Sequence, residues 1–288
     1  MFRILVTAAA IAVAVEGLAM EMVEFPSADA DLTRTAPTRL AGWLMKPAGG
    51  GPFPAIVLLH GCSGLYAGSS GERLSARHAE WSERLRDEGY VVLLPDSFNP
   101  RGHRQICTLK DRPILATRER TRDAFGALFY LQSRSFVRAD RIAVMGWSHG
   151  GQTTLATITP HAPGLPAAFP QGDFRAAVAF YPGCTTARRE GYGARAATLI
   201  LVGEADDWTP AAPCLAMAEA ARGRGQAMSI VAYPGAYHDF DAPDVAVRLR
   251  TGLAIPGGGT SAHIGTDPAA RADAFRRVPD FLTRHLKE

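Results

Sequence analysis

Arg141-Ile-Ala-Val-Met-Gly-Trp-Ser-His-Gly-Gly151 is the stretch that decides the fold of this chain. Residues 141–146 form a short, mostly apolar run, the pattern of a strand buried on both faces. Gly146-Trp-Ser-His-Gly150 follows at once, a G-x-S-x-G motif at a strand-to-helix turn. In such a turn the serine holds a strained backbone so that its hydroxyl projects above the sheet. Side chains two residues before and two after it would collide, so Gly146 and Gly150 carry none, and Gly151 lets the following helix pack closely. The motif alone recurs by chance in glycine-rich turns; the strand–turn–helix setting is what makes Ser148 a candidate nucleophile. The helix N-terminus also brings N–H groups and positive dipole charge to the reacting oxygen.

Working outward, similar runs recur at residues 55–60, 90–95, 176–181, 198–202 and 228–233, with two earlier strand-like segments at 22–25 and 39–45. Helix-like segments lie between and after them. Residues 73–87 carry Leu74, Trp81 and Leu85 at helical spacing, with Gly89 as a stop. Residues 116–133 gather Phe125, Leu128, Phe129 and Leu131 on one side. Segments 211–222 and 269–286 complete the set. Strands alternating with helices predict an α/β architecture: a mostly parallel eight-stranded sheet with helices on both faces. The interval between residues 181 and 198 leaves room only for a short helix or loop, so no large lid domain is expected there.

Serine is a weak nucleophile at neutral pH and needs a histidine base, itself oriented by a carboxylate. Sheets bearing this elbow supply the acid and then the histidine from loops after later strands. After residues 198–202 come Gly203-Glu-Ala-Asp-Asp-Trp-Thr-Pro210, where Glu204, Asp206 and Asp207 compete for the role of acid. Asp207 has an alternative role as cap of the helix starting near Pro210. The run 228–233 leads into Pro234-Gly-Ala-Tyr-His-Asp-Phe240, which makes His238 the base; His263 and His285, in a loop and a terminal helix, are expected to be solvated. An oxyanion hole needs two N–H donors. His149 N–H is one, its ring being a structural or wall group. The other is assigned to Cys62, in the loop His60-Gly-Cys-Ser-Gly64. Cys62 lacks the glycine-flanked elbow that a nucleophile would need. Arg101 and Arg104 are candidates to meet an acidic substrate, against the plainer reading of solvated loop arginines. This chemistry requires no metal or organic cofactor.

The bulk numbers agree with a folded enzyme. Hydrophobic residues make up 47% and charged residues 20% of 288 residues, as in globular proteins. The formal charge of +3 is too small, and the basic residues too dispersed, to imply a nucleic-acid partner. Met1-Phe-Arg3, the uncharged apolar run 4–15, and Gly17-Leu-Ala19 with small residues at both ends have the layout of a secretory signal peptide. The expected organisation is therefore a signal at 1–19 and one domain at 20–288, secreted or periplasmic and without a membrane anchor. The run is short for a bilayer span. Four cysteines without a CxxC pair favour disulfides over a zinc site in an exported chain. Oligomeric state has no sequence signal.

Six stretches together resemble the dienelactone hydrolase family of α/β-hydrolases. They are Pro54-Ala-Ile-Val-Leu-Leu-His-Gly-Cys-Ser-Gly64, Val92-Leu-Leu-Pro-Asp-Ser97, Gly146-Trp-Ser-His-Gly-Gly151, Tyr181-Pro-Gly183, Gly203-Glu-Ala-Asp206 and Tyr233-Pro-Gly-Ala-Tyr-His238. The resemblance implies the α/β-hydrolase fold and, through the proline four residues on, selects Asp206 as the acid. The family's namesakes carry cysteine at the elbow where this chain has Ser148, which favours a carboxylesterase-like activity on a small-molecule ester over dienelactone hydrolysis. A peptidase or acyltransferase using the same triad, or a silent hydrolase-like binding protein, are the competing readings. The resemblance also implies disulfides Cys62–Cys107 and Cys184–Cys214, pinning loops at the site.

Overall fold

The computed structural model describes residues 20–68, 73–255 and 257–288; the expected signal segment 1–19 lies outside them. One sheet contains β1 (Met20–Pro26), β2 (Arg39–Met45), β3 (Phe53–Leu59), β4 (Val91–Pro95), β5 (Val137–Trp147), β6 (Ala176–Phe180), β7 (Ala197–Gly203) and β8 (Met228–Tyr233), in the order β1-β2-β4-β3-β5-β6-β7-β8. β2 is antiparallel to β1 and β4, and every neighbouring pair from β4 to β8 is parallel. The helices are α1 (Ala30–Thr33), α2 (Ala76–Asp87), α3 (Glu119–Gln132), α4 (His149–Ile158), α5 (Thr185–Arg189), α6 (Ala211–Gly223) and α7 (Pro268–Leu286), with a 3₁₀ turn at Asn99–Arg101.

The continuous apolar runs follow from burial on both faces, since successive strand residues point to opposite sides. Ile56, Leu58, Val92, Leu94 and Met145 pack under Trp81 and Leu85 of α2 and Phe281 and Leu282 of α7. Their alternates Val57, Leu59, Val91, Leu93 and Val144 pack under Phe125, Leu128 and Leu131 of α3. Gly89 closes the α2 turn at φ +87°, a left-handed backbone that favours glycine. Between β6 and β7 only the short α5 intervenes, so no lid domain covers the strand ends there.

Three expectations need correction. A second, two-stranded sheet, β9 (Arg248–Thr251) with β10 (Ser261–Ile264), stands where an unstructured loop was expected. His263 is thus on a strand, not in a loop, and is held by Asp207, whose carboxylate bonds its backbone N–H and Nδ1, each at 2.8 Å. Asp207 does not cap α6: Pro210 stands at the cap with no side-chain bond. Arg101 is held internally and is not a free loop arginine. Its guanidinium bonds Asp29 at 2.9 Å and Asp123 at 2.8 Å and ties β1's exit to α3.

Both cysteine pairs are bonded, Cys62–Cys107 with Cα atoms 4.9 Å apart and Cys184–Cys214 with 5.0 Å. Such bonds persist in oxidising compartments. Reductant is expected to lower unfolding free energy by about 2–4 kcal/mol per bridge, read as a drop in the urea midpoint. Peptide mass mapping without reductant should recover both pairs; four free thiols there would contradict the pairing.

Candidate active site

The steric logic of the elbow is explicit in the backbone. Ser148 sits at φ +52°, between the end of β5 and the start of α4, a conformation that costs a non-glycine residue about 1–3 kcal/mol. A Cβ at Gly146 would lie 2.5 Å from the Gly150 carbonyl oxygen, and one at Gly150 would lie 2.0 Å from that of Leu59. Ser148 N–H donates to Phe180 O at 2.9 Å, fastening the strained residue to β6.

His238 follows β8, fully buried, with its ring between Tyr181 and Trp208 at centroid distances of 4.5 and 4.7 Å. Its Nδ1 donates to Asp206 Oδ2 at 2.7 Å, which leaves Nε2 for the cavity it shares with Ser148. Asp206 Oδ1 accepts backbone N–H bonds from Trp208 and Thr209 at 2.9 and 2.8 Å, and Thr209 Oγ1 lies 2.9 Å from Oδ2, the oxygen that His238 bonds. Of the three competing carboxylates the fold therefore turns Asp206 inward to His238. Asp207 faces His263, and Glu204 is exposed. Burial disfavours the His238 imidazolium, but the charge and hydrogen bond of Asp206 outweigh it, with Asp239 adding, and the pKa rises above the ordinary histidine value. A base must be neutral to accept a proton, so kcat/KM should fall as pH drops through that raised value. The expected acid limb has unit slope and a midpoint above about 6.5; a midpoint below it would contradict the Asp206 coupling.

Cys62 and His149, the sequence-derived oxyanion donors, both line a cavity with Ser148. His149 begins α4, where the first N–H groups have no intrahelical acceptor. The Cys62 loop is held from several sides. Ile106 N–H donates to Cys62 O at 2.8 Å, the disulfide fixes its side chain, and Arg250 of β9 reaches Ser63 Oγ at 3.1 Å. His60 braces the same loop: Ser97 N–H donates to its Nε2, so Nδ1 carries the proton and donates to Gly61 O at 2.9 Å. The His149 ring is no second base. It is buried, and its Nδ1 accepts from Arg120 Nη1 at 2.9 Å; burial and the Arg120 charge hold its pKa well below the ordinary range.

A buried network beneath the site had no sequence signal. Asp241 is fully buried, accepts from Trp81 Nε1 at 2.9 Å and Trp147 Nε1 at 2.8 Å, and accepts the Tyr181 hydroxyl at 2.6 Å. Arg77, at the start of α2, pairs with Asp239 at 2.6 Å and approaches Asp241 at 3.4 Å. The network thus grips the residues flanking both Ser148 and His238. A further brace comes from the small sheet: Gly265 N–H donates to His238 O at 3.0 Å, and His238 pairs with Ile264.

Ser148 lies between two recesses. One, of about 220 Å³, includes Arg77, His238 and Asp239. The other, of about 180 Å³, includes Arg112, His149 and Gln152. No group of His, Cys, Asp and Glu side chains suited to hold a metal occurs among the described residues, and no described helix is long and apolar enough to cross a membrane.

Comparison with solved structures returns the same architecture. A Klebsiella pneumoniae protein assigned as a dienelactone hydrolase aligns with a TM-score of 0.66 at 18% identity, covering 92% of this chain and 99% of its own. The dienelactone hydrolase-like promiscuous phosphotriesterase P91, from metagenomic libraries, aligns at 0.64 and 21% identity, covering 93% and 99%. Thermogutta terrifontis esterase 2, phosphorylated by paraoxon, aligns at 0.59 and 18%, covering 85% and 88%. At these identities the likeness is one of fold. The family model described as the dienelactone hydrolase family matches residues 40–286 of the sequence, and the chain accordingly belongs to the dienelactone hydrolase family of α/β-hydrolases.

Proposed function

We propose that the protein is a serine carboxylesterase acting through a Ser148–His238–Asp206 triad. The observation that carries this reading is the buried 2.7 Å bond from His238 to Asp206 in a cavity that also holds the strained Ser148. Ser148 Oγ attacks the ester carbonyl while His238 Nε2 takes its proton. The oxyanion is met by the backbone N–H groups of Cys62 and His149. Collapse expels the alcohol, which leaves with the proton from His238, and the acyl group remains on Ser148. Water, deprotonated by the same histidine, then attacks the acyl-enzyme and releases the acid. Serine at the elbow supports ordinary ester cleavage over the chemistry of the family's cysteine-bearing namesakes. The disulfides and the N-terminal pattern support an exported enzyme.

Asp206 and Asp207 test the assignment in one pair of variants. Asp206→Asn should lower kcat about a thousandfold or more by removing the group that fixes the His238 tautomer. Asp207→Asn should leave kcat within about threefold, since its partner His263 is half-exposed and the pair weak. Equal losses in both variants, measured on p-nitrophenyl acetate, would refute this choice of acid.

A further inference from the structure

We infer that the recess on the His149 side continues into an acyl-binding channel along α4, and that the substrate is an ester with an extended, mainly apolar acyl chain. The inference rests on the esterase reading for its orientation and names the substrate class of that same site.

The two recesses beside Ser148 differ in the group that decides which half of the ester each receives. The departing alkoxide takes its proton from His238, so the alcohol must lie in the recess that His238 lines. The opposite recess has Cys62 and His149 at its wall and lacks His238 among its lining residues, so it receives the acyl part.

That acyl side does not end at the recess. A larger cavity of about 420 Å³ shares Gln152, Gly183 and Thr186 with it. Gln152 and Ala156 lie one turn apart on one face of α4, between Ser148 at its N-cap and Thr159 at its C-cap. From Gln152 to Thr159 the helix extends roughly 10 Å, enough for a chain of roughly eight carbons. The floor is apolar: Leu155 and Ala156 come from α4, Ala187 from α5, and Tyr192 spends its hydroxyl on Leu155 O at 3.1 Å. Polar groups such as Thr117, His161 and Glu190 stand at the rim. The Cys184–Cys214 bridge anchors the first turn of α5 beside that passage to α6.

The test compares p-nitrophenyl acetate with p-nitrophenyl octanoate. Each methylene removed from water is worth up to about fourfold in kcat/KM. The octanoyl-to-acetyl ratio of kcat/KM should therefore be about tenfold or more in the wild type. It should collapse toward one in Ala156→Phe, which fills the far cavity, and in Thr186→Trp, which fills the junction from an exposed position. Thermal melting identifies any variant that fails to fold, and either one suffices. A wild-type ratio near or below one, or a ratio unchanged in folded variants, would overturn the channel. Calorimetric titration of octanoate into Ser148→Ala separates this from the parent reading. Saturable binding, lost on adding Ala156→Phe, supports the channel even if the wild type cleaves neither ester, in which case the esterase reading fails alone. Absence of both turnover and octanoate binding overturns both.

Discussion

Ser148→Ala is expected to lower kcat/KM for a p-nitrophenyl ester by about 10⁴-fold or more, and to abolish labelling by a fluorophosphonate. The expected loss is large because, in the proposed mechanism, one atom carries the covalent step. The residual rate would reflect only the proposed oxyanion donors and substrate binding. Folding should be almost untouched. The side chain removed is small, the strained φ of +52° is retained by alanine, and the backbone bond to Phe180 O remains. The unfolding free energy is therefore expected to shift by less than about 1 kcal/mol. Mass mapping of the labelled wild type should place the adduct on Ser148 alone. Turnover at the wild-type rate in the variant would assign the activity to something other than this elbow.

The second large effect concerns stability. Asp241→Ala should cost about 3–5 kcal/mol of unfolding free energy, the cost of breaking a buried, charged hydrogen-bond cluster by deleting its centre. Two indole N–H groups and a tyrosine hydroxyl would lose their acceptor where no water reaches them, and Arg77 would keep only Asp239. Because Trp147 and Tyr181 flank Ser148 and the His238 ring, activity should fall in parallel with the loss of structure. Asp241→Asn keeps one acceptor oxygen and should recover part of the stability. Urea denaturation of the three proteins measures this directly. A change under about 1 kcal/mol in Asp241→Ala would show that the cluster is an incidental contact rather than a support.

These two residues mark opposite ends of what could be read without coordinates. Ser148 announces itself because the elbow demands glycines at fixed offsets, and those demands are local. The parallel strands were legible for a similar reason: burial on both faces leaves little room for polar residues, so β3, β4, β6, the second half of β5 from Ile142 and the stretch of β7 from Leu199 read as apolar runs. The hairpin of β9 and β10 escaped. Arg-Leu-Arg-Thr and Ser-Ala-His-Ile are four residues each and partly exposed, too short to show an alternating pattern on either side of the Pro-Gly-Gly-Gly turn signal between them. Its role came with it: Arg250 reaches Ser63 in the Cys62 loop and Ile264 braces His238.

The sequence by itself determined the α/β class, the strand order in the chain, the serine at its elbow and the loops from which an acid and a histidine must come. Each of these rests on local rules of sterics and hydrophobic period. The residues alone left adjacent Asp206 and Asp207 open and only the family resemblance favoured Asp206; tertiary structure added the physical difference, because the loop after β7 turns one carboxylate to His238 and the next to His263. It alone made Asp241 a keystone and Arg101 a strut. It alone joined the recess beside His149 to a cavity along α4. A carboxylate or guanidinium looks the same in the chain wherever it falls; its role depends on which distant groups the fold removes from water with it.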